Sequence, residues 1–289
     1  METALESCMK LSITACWFGG PGYPEALLSI PDPPAVLFHR GAVHPFDLPP
    51  SVAVIGSRRC SLYGRRTART IARELAMSGV AVVGGLARGI DAEAHQGAID
   101  AGGVTVAVLG NGLDIIYPPE HRRLSTDILR KGCLVSEYPP GAPPARHTFP
   151  ERNRIISGLA AAVVVVEAGE KSGTMITVGT ALDQGREVLA VPGEISRSSA
   201  IGSNRLIQDG AGIVLETADI LRAIGVSQDA HPEPECDDPV LVVIRKQGST
   251  PGEISALLGL PQGEVRERLL ELEIRGLAVR RPGEIFSGV

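Results

Sequence analysis

A chain of 289 residues, 44% of them hydrophobic, is long enough for one large domain and one small one. A formal net charge of −5 with only 3% aromatic residues argues, taken alone, against a nucleic-acid partner and leaves few rings for stacking. No apolar run approaches the roughly 20 residues of a membrane span, and Met9 to Phe18 is too short and too polar for a signal peptide. The five cysteines (8, 16, 60, 133, 236) form no CxxC pair, so neither a disulfide framework nor a metal site is expected. A cytoplasmic protein without a membrane partner fits these limits.

Residues 1–50 are proline-rich from Pro21 on and weakly periodic, with one strand candidate at 35–38. They predict a short, partly ordered lead-in. From Ser51 the pattern becomes regular. Apolar strands are predicted at 52–55, 80–83, 104–109, 133–136, 162–166, 187–191 and 212–215. Helical stretches fall between them, at 64–78, 91–101, 120–131, 151–160, 174–184 and 203–208. Such alternation implies right-handed crossovers and an α/β, Rossmann-like, doubly wound parallel sheet over residues 51–225. An acidic, proline-rich linker is expected at 226–238. Residues 239–289 then read as three helices and a hairpin turning at Arg281-Pro282-Gly283, the order of a small winged-helix domain. Its third helix, 261–276, carries four acids and three arginines, which suits packing or protein contact better than a DNA groove.

Local charge departs from the net count. Residues 56–73 hold six arginines and no acid, whereas 216–238 holds seven acids and one arginine. In a doubly wound sheet ligands bind beyond the carboxyl ends of the strands. Gly-rich and polar turns gather at those ends here: Gly56-Ser57-Arg58, 84–91, 110–114, 136–140 and 167–174. The stretch from Phe149 to Thr177 is the centre of the pattern. It sets Arg152 and Arg154 on one side of a buried β-branched strand and Lys171-Ser172-Gly173-Thr174 on the other. Backbone N–H groups at such turns and guanidinium forks both suit phosphate. Arg58, directly after a strand, is the leading phosphate ligand; Arg59, Arg65, Arg66 and Arg69 read as solvent-facing contributors to the field. Asp91 and His95, spaced i, i+4, read as a helix N-cap and a packed imidazole. GxGxxG and the P-loop signature GxxxxGK[ST] are both absent, which removes ordinary NAD binding and P-loop ATP hydrolysis; no cofactor and no catalytic residue is assigned.

These stretches resemble the bacterial DNA-processing protein A (DprA/Smf) family. The likeness rests on VAVIGSR (52–58), GGLARGIDAEAH (84–95), VAVLGNGLDIIYPPEH (106–121), FPERNRIISGL (149–159), VVEAGEKSGTMIT (165–177) and GSNRLIQDGA (202–211), in the expected order across about residues 50–220. The resemblance implies a Rossmann-like domain that binds single-stranded DNA, forms a homodimer, and loads the RecA recombinase during natural transformation and recombination. It maps the DNA pocket onto Gly56, Ser57 and Arg58, onto Phe149, Arg152, Asn153 and Arg154, and onto Lys171, Ser172, Gly173 and Thr174. The N-terminal helical domain of many members looks truncated here. A positive groove with a stacking ring agrees with single-strand recognition, and Phe149 supplies the ring, with Tyr63, Tyr117 and Tyr138 as helpers.

The competing reading is an enzyme. The domain is also similar to phosphoribohydrolases of the lysine-decarboxylase-like family, whose GGxGTxxE loop corresponds to residues 170–177. Thr177 stands where that family has glutamate, which removes the obvious acid or base for N-glycosidic cleavage; Glu167 and Glu170 are nearby. A binding protein is the expectation.

Overall fold

The computed structural model describes residues 2–170, 172–226, 238–274, 277–281 and 283–288. The chain divides into two compact units, Met1–Ala230 and His231–Val289. In the first, the elements run α1 (Glu2–Leu11), β1 (Thr14–Trp17), α2 (Glu25–Leu28), β2 (Val36–Gly41), β3 (Ser51–Gly56), α3 (Leu62–Met77), β4 (Ala81–Gly84), α4 (Ile90–Asp100) and β5 (Thr105–Leu109). They continue through α5 (Arg122–Lys131), β6 (Cys133–Ser136), α6 (Thr148–Gly158), β7 (Ala162–Glu167), α7 (Thr174–Asp183), β8 (Glu187–Ala190), α8 (Ile201–Gln208), β9 (Gly212–Ile213) and α9 (Thr217–Ala223).

The strands form one nine-stranded sheet in the order β1-β2-β6-β5-β4-β3-β7-β8-β9. From β6 to β9 every pairing is parallel. The β-branched runs explain why. In β3, Val52 and Val54 pack into one hydrophobic cluster and Ala53 and Ile55 into another. β7 divides in the same way, Val164 and Val166 against Val163 and Val165. Strands apolar on both faces need cover on both. Helices α3, α4 and α9 provide it on one side, through Ile71, Leu75, Ile90 and Ile220, and α6, α7 and α8 on the other, through Ile155, Val178 and Leu206.

Residues 1–50 differ from the expected lead-in. β1 and β2 join the sheet antiparallel, β2 pairing with β6, so the sheet is mixed rather than purely parallel. The signal is weak because β1 is four residues long with a single buried position, Cys16. Helix α9 lies outside the predicted elements, although its capping box, Glu216 with Asp219, is legible in the sequence. The predicted helix at 120–131 begins instead as a 3-10 turn, Pro119–His121, before α5.

The second unit holds α10 (Pro239–Lys246), α11 (Pro251–Leu258), α12 (Gln262–Ile274) and a hairpin of β10 (Ala278–Arg281) with β11 (Ile285–Gly288). Three helices and a hairpin in this order follow the prediction. Leu241, Ile254, Leu269 and Phe286 form its core, and Thr250 with Glu253 makes a capping box for α11. Most of the predicted linker, Pro282 of the predicted turn and Lys171 lie outside the described residues, as does Cys236; the other four cysteines are free thiols. Among the described residues no helix is long and apolar enough to cross a membrane.

Two histidines are buried in this unit, His39 on β2 within the sheet and His95 on α4 packed against it. Burial, with the neighbouring His44, pushes His39 down to about 4. Burial, with the charges of His121 and Arg152, pushes His95 down to about 3. Both imidazoles are neutral in the folded chain and protonate near 6.5 once exposed, so the unfolded chain binds more protons below that pH. Their contribution is complete above about pH 6.5 and is lost as pH falls toward the folded values. We expect the thermal midpoint to fall between about pH 7 and about pH 5, and to fall less steeply in His95→Gln. Calorimetry at several pH values checks this, and parallel slopes for the two proteins would contradict it.

Candidate functional site

The strand order reverses at β3. Chain connection runs from it through β4 and β5 to β6 on one side, then returns to β7 on the other. A crevice must open beyond the carboxyl ends of β3 and β7. An open pocket of about 450 Å3 lies there.

Its floor begins with the turn after β3. Ser57 donates its N–H to the Glu167 carbonyl at 2.7 Å, and the Ser57 hydroxyl accepts from the Arg59 N–H at 3.1 Å. The Glu167 carboxylate then accepts from the N–H and the hydroxyl of Ser61, the N-cap of α3. Gly56 is required by close approach. A Cβ there would stand 2.6 Å from Ile90 Cγ1 and 2.8 Å from the Glu167 carbonyl oxygen.

Helix α6 supplies the second wall. Phe149, Arg152, Asn153 and Ile156 all line the pocket, and their i, i+3, i+4, i+7 spacing places them on one helical face. The third wall is the first turn of α7, with Ser172, Gly173, Thr174, Ile176 and Thr177. The Ser172 hydroxyl accepts from the Thr174 N–H at 3.2 Å, which fixes the entry to the helix.

The three predicted segments therefore meet in one cavity, but their arginines have different roles. Arg58 is exposed, and its guanidinium carbon lies 5.7 Å from the centroid of the Phe149 ring, within cation–π range. Arg59 is solvent-facing as predicted, but it lies in the turn before α3 rather than on the helix and also lines the pocket. Among the described residues neither forms an ion pair with a carboxylate. Arg65 and Arg69 do, pairing with Glu93, and Arg69 also with Asp100. They are partly neutralised.

Arg152 is buried. Its Nη1 donates to the carbonyls of Gly85, at 3.0 Å, and Val108, which spends part of its fork on the backbone. Gly85 makes room for it: a Cβ there would come within 2.6 Å of the guanidinium. Burial lowers Arg152 to about 10, opposed by the nearby charge of Asp91. Burial raises Asp91, opposed by Arg152. Asp91 does not cap α4 as predicted. The N-cap is Gly89, at φ 79°, and Asp91 instead accepts from the Gly85 N–H at 2.8 Å, holding the turn after β4 under the pocket. His95 is packed as predicted, its Nδ1 at 2.7 Å from the Thr105 hydroxyl.

Arg154 is not brought to the pocket. It points away from the face of α6 that carries Arg152 and is held by Asp32 and Glu137, each at 2.7 Å. Residues two apart on a helix diverge, which the pattern itself contained. The ring beside Phe149 is Tyr117, with centroids 5.5 Å apart, whereas the Tyr138 hydroxyl donates to Glu151 at 2.7 Å.

A family model described as DNA recombination-mediator protein A matches residues 14–225. The chain belongs to that family. Protein Smf of Escherichia coli is 40% identical to it over 95% of this chain and 80% of its own. DNA processing protein DprA of Streptococcus pneumoniae is 42% identical over 69% of this chain and 70% of its own. The X-ray structure of the pneumococcal protein superposes with a TM-score of 0.70 at 37% identity, covering 77% of this chain and 78% of that one. A structure of the Helicobacter pylori protein, described for its single-stranded DNA binding mode, gives 0.68 at 28% identity over 76% of this chain and 98% of that one. The family is described as a recombination mediator, and an open pocket lined by arginines at the reversal of strand order fits that setting.

The split between surface and buried arginines has a measurable consequence. Arg152→Ala leaves Asp91 buried without its neighbouring cation and should lower stability by roughly 3 kcal/mol. Arg58→Ala, on the surface, should stay within about 0.5 kcal/mol of the parent. Urea unfolding curves distinguish the two; equal midpoints would contradict the assignment.

Proposed function

We propose that the chain binds single-stranded DNA in the pocket between β3, α6 and α7, and acts as a mediator that presents the strand to RecA recombinase. A homodimer and a role in natural transformation accompany that reading, both carried by the family resemblance. The observation that carries the DNA reading is the juxtaposition of Arg58 and Phe149. A guanidinium that forms no ion pair among the described residues lies beside a ring from the adjoining wall of the same pocket, which is the pairing of phosphate contact and stacking surface that a single strand requires. Ser57, Ser172 and Thr174 add polar side chains to the lining, while the N–H groups of Ser57 and Thr174 are already engaged within the protein. Lys171 keeps its place in the reading on sequence grounds alone.

Hydrolysis of a nucleotide finds less support. The Glu167 carboxylate is buried and already accepts from Ser61, and Thr177 occupies the position where a phosphoribohydrolase carries glutamate. We read the chain as a binding protein without catalytic residues.

Filter binding of an oligothymidylate over a salt series tests the DNA reading. Arg58→Ala should weaken binding and make the log–log salt slope shallower by about 0.7, the value for one phosphate fewer neutralised. Unchanged affinity in the folded variant would refute the site. The enzyme reading is tested separately: incubation with nucleoside monophosphates should release no free base, and release abolished by Arg58→Ala would restore it.

A further inference from the structure

The pocket does not end at Phe149. A narrower cleft continues from it, sharing Arg58, Phe149 and Arg152 and bounded further on by Gly85, Arg88 and Tyr117. Tyr117 is exposed and its ring is tilted 34° from that of Phe149, so a second aromatic surface follows the first along one path. The charge in this cleft is masked. Arg88 is exposed, and its Nε donates to the Glu120 carboxylate at 2.5 Å. Glu120 is exposed as well, and the hydrogen bond from Arg88 keeps its carboxyl below the usual range.

The two loops that carry this pair are joined independently of it. The His121 ring lies at 2.9 Å from the Leu86 carbonyl through Nδ1, and the Arg88 loop is shaped by left-handed backbone at Leu86, φ 56°, and Gly89. Breaking the ion pair leaves that tether in place. Exposed ion pairs contribute little net stability, whereas a guanidinium fork meets a phosphate through charge-assisted, bidentate contacts.

We infer that the exposed rim of this cleft, whose interior of about 30 Å3 is too small for a base, is a second nucleotide subsite, in which a backbone phosphate takes Arg88 from Glu120 while the base lies against the exposed Tyr117 ring. The inference rests on the proposed single-strand reading of the main pocket and extends it by one nucleotide step. Glu120 then acts as an intramolecular competitor: it occupies Arg88 in the free protein and is released by the strand. It sets how strongly the second subsite contributes.

A double-mutant cycle on the full chain tests this, with oligothymidylate as the probe. Glu120→Gln removes the competitor and should tighten binding roughly five-fold, with a salt slope steeper by about 0.7. Arg88→Ala should weaken binding, and the double variant should bind like Arg88→Ala, with no gain from the second change. A Glu120→Gln protein that binds like the parent would overturn the inference. So would a gain that persists in the Arg88→Ala background, since it would come from the general loss of a negative charge. Failure of the main-pocket reading is distinguishable, because there Arg58→Ala would bind as the parent does.

Discussion

The site depends on the double engagement of Glu167. Its carbonyl holds Ser57 and its carboxylate holds Ser61, so the end of β7 fixes both the turn after β3 and the start of α3. The carboxylate is buried and its hydrogen bonds go to the N-cap residue, where an anion also favours the helix dipole. Gly64, one turn into α3, has no room for a side chain, because a Cβ would overlap a Glu167 carboxylate oxygen. Arg58 and Arg59 sit between these two anchor points. Their position follows from a side chain that never enters the pocket.

A second layer of constraint lies beneath the first. Asp91 and Arg152, both buried, tie the turn after β4 to α6 and to the end of β5. A buried charge without compensation is costly, and each of these groups offsets the other. Arg152 and Asp91 together leave little net charge beneath the pocket, and the positive charge of its lining comes from the exposed Arg58 and Arg59. The chain's net charge of −5 is compatible with this arrangement, because residues 56–73 hold six arginines and no acid, so the local charge departs from the net count.

Those parts of the fold that rest on repeated local patterns are legible in the sequence. β3 and β7 stand out because a β-branched run buried on both faces leaves no alternation to misread. The switch point stands out because its glycines and arginines cluster at strand ends. β1 does not, since four residues with one buried position carry almost no periodic signal. Arg154 misleads for a different reason: it lies two residues from Arg152, and adjacency along the chain is not adjacency in space. The helical period separates the two and adds Ile156 to the pocket. Asp91 misleads because a carboxylate at the start of a helix suggests a cap, while the cap here is a glycine with left-handed backbone. Which arginines are neutralised is not legible at all, because Arg65 and Arg69 meet acids of α4 that are distant in sequence.

The pairing of α3 with α4 carries an electrostatic consequence. Gly97 lets the helices approach closely, since a Cβ there would overlap the Arg69 carbonyl oxygen, and this approach brings Glu93 and Asp100 beside the outward arginines of α3. Arg65 and Arg69 are thus partly neutralised, whereas Arg58, Arg59 and the exposed Arg66 form no ion pair among the described residues. Under the proposed single-strand reading, the face of α3 turned toward α4 would attract a strand less strongly than the turn at Arg58 and Arg59, which lines the pocket.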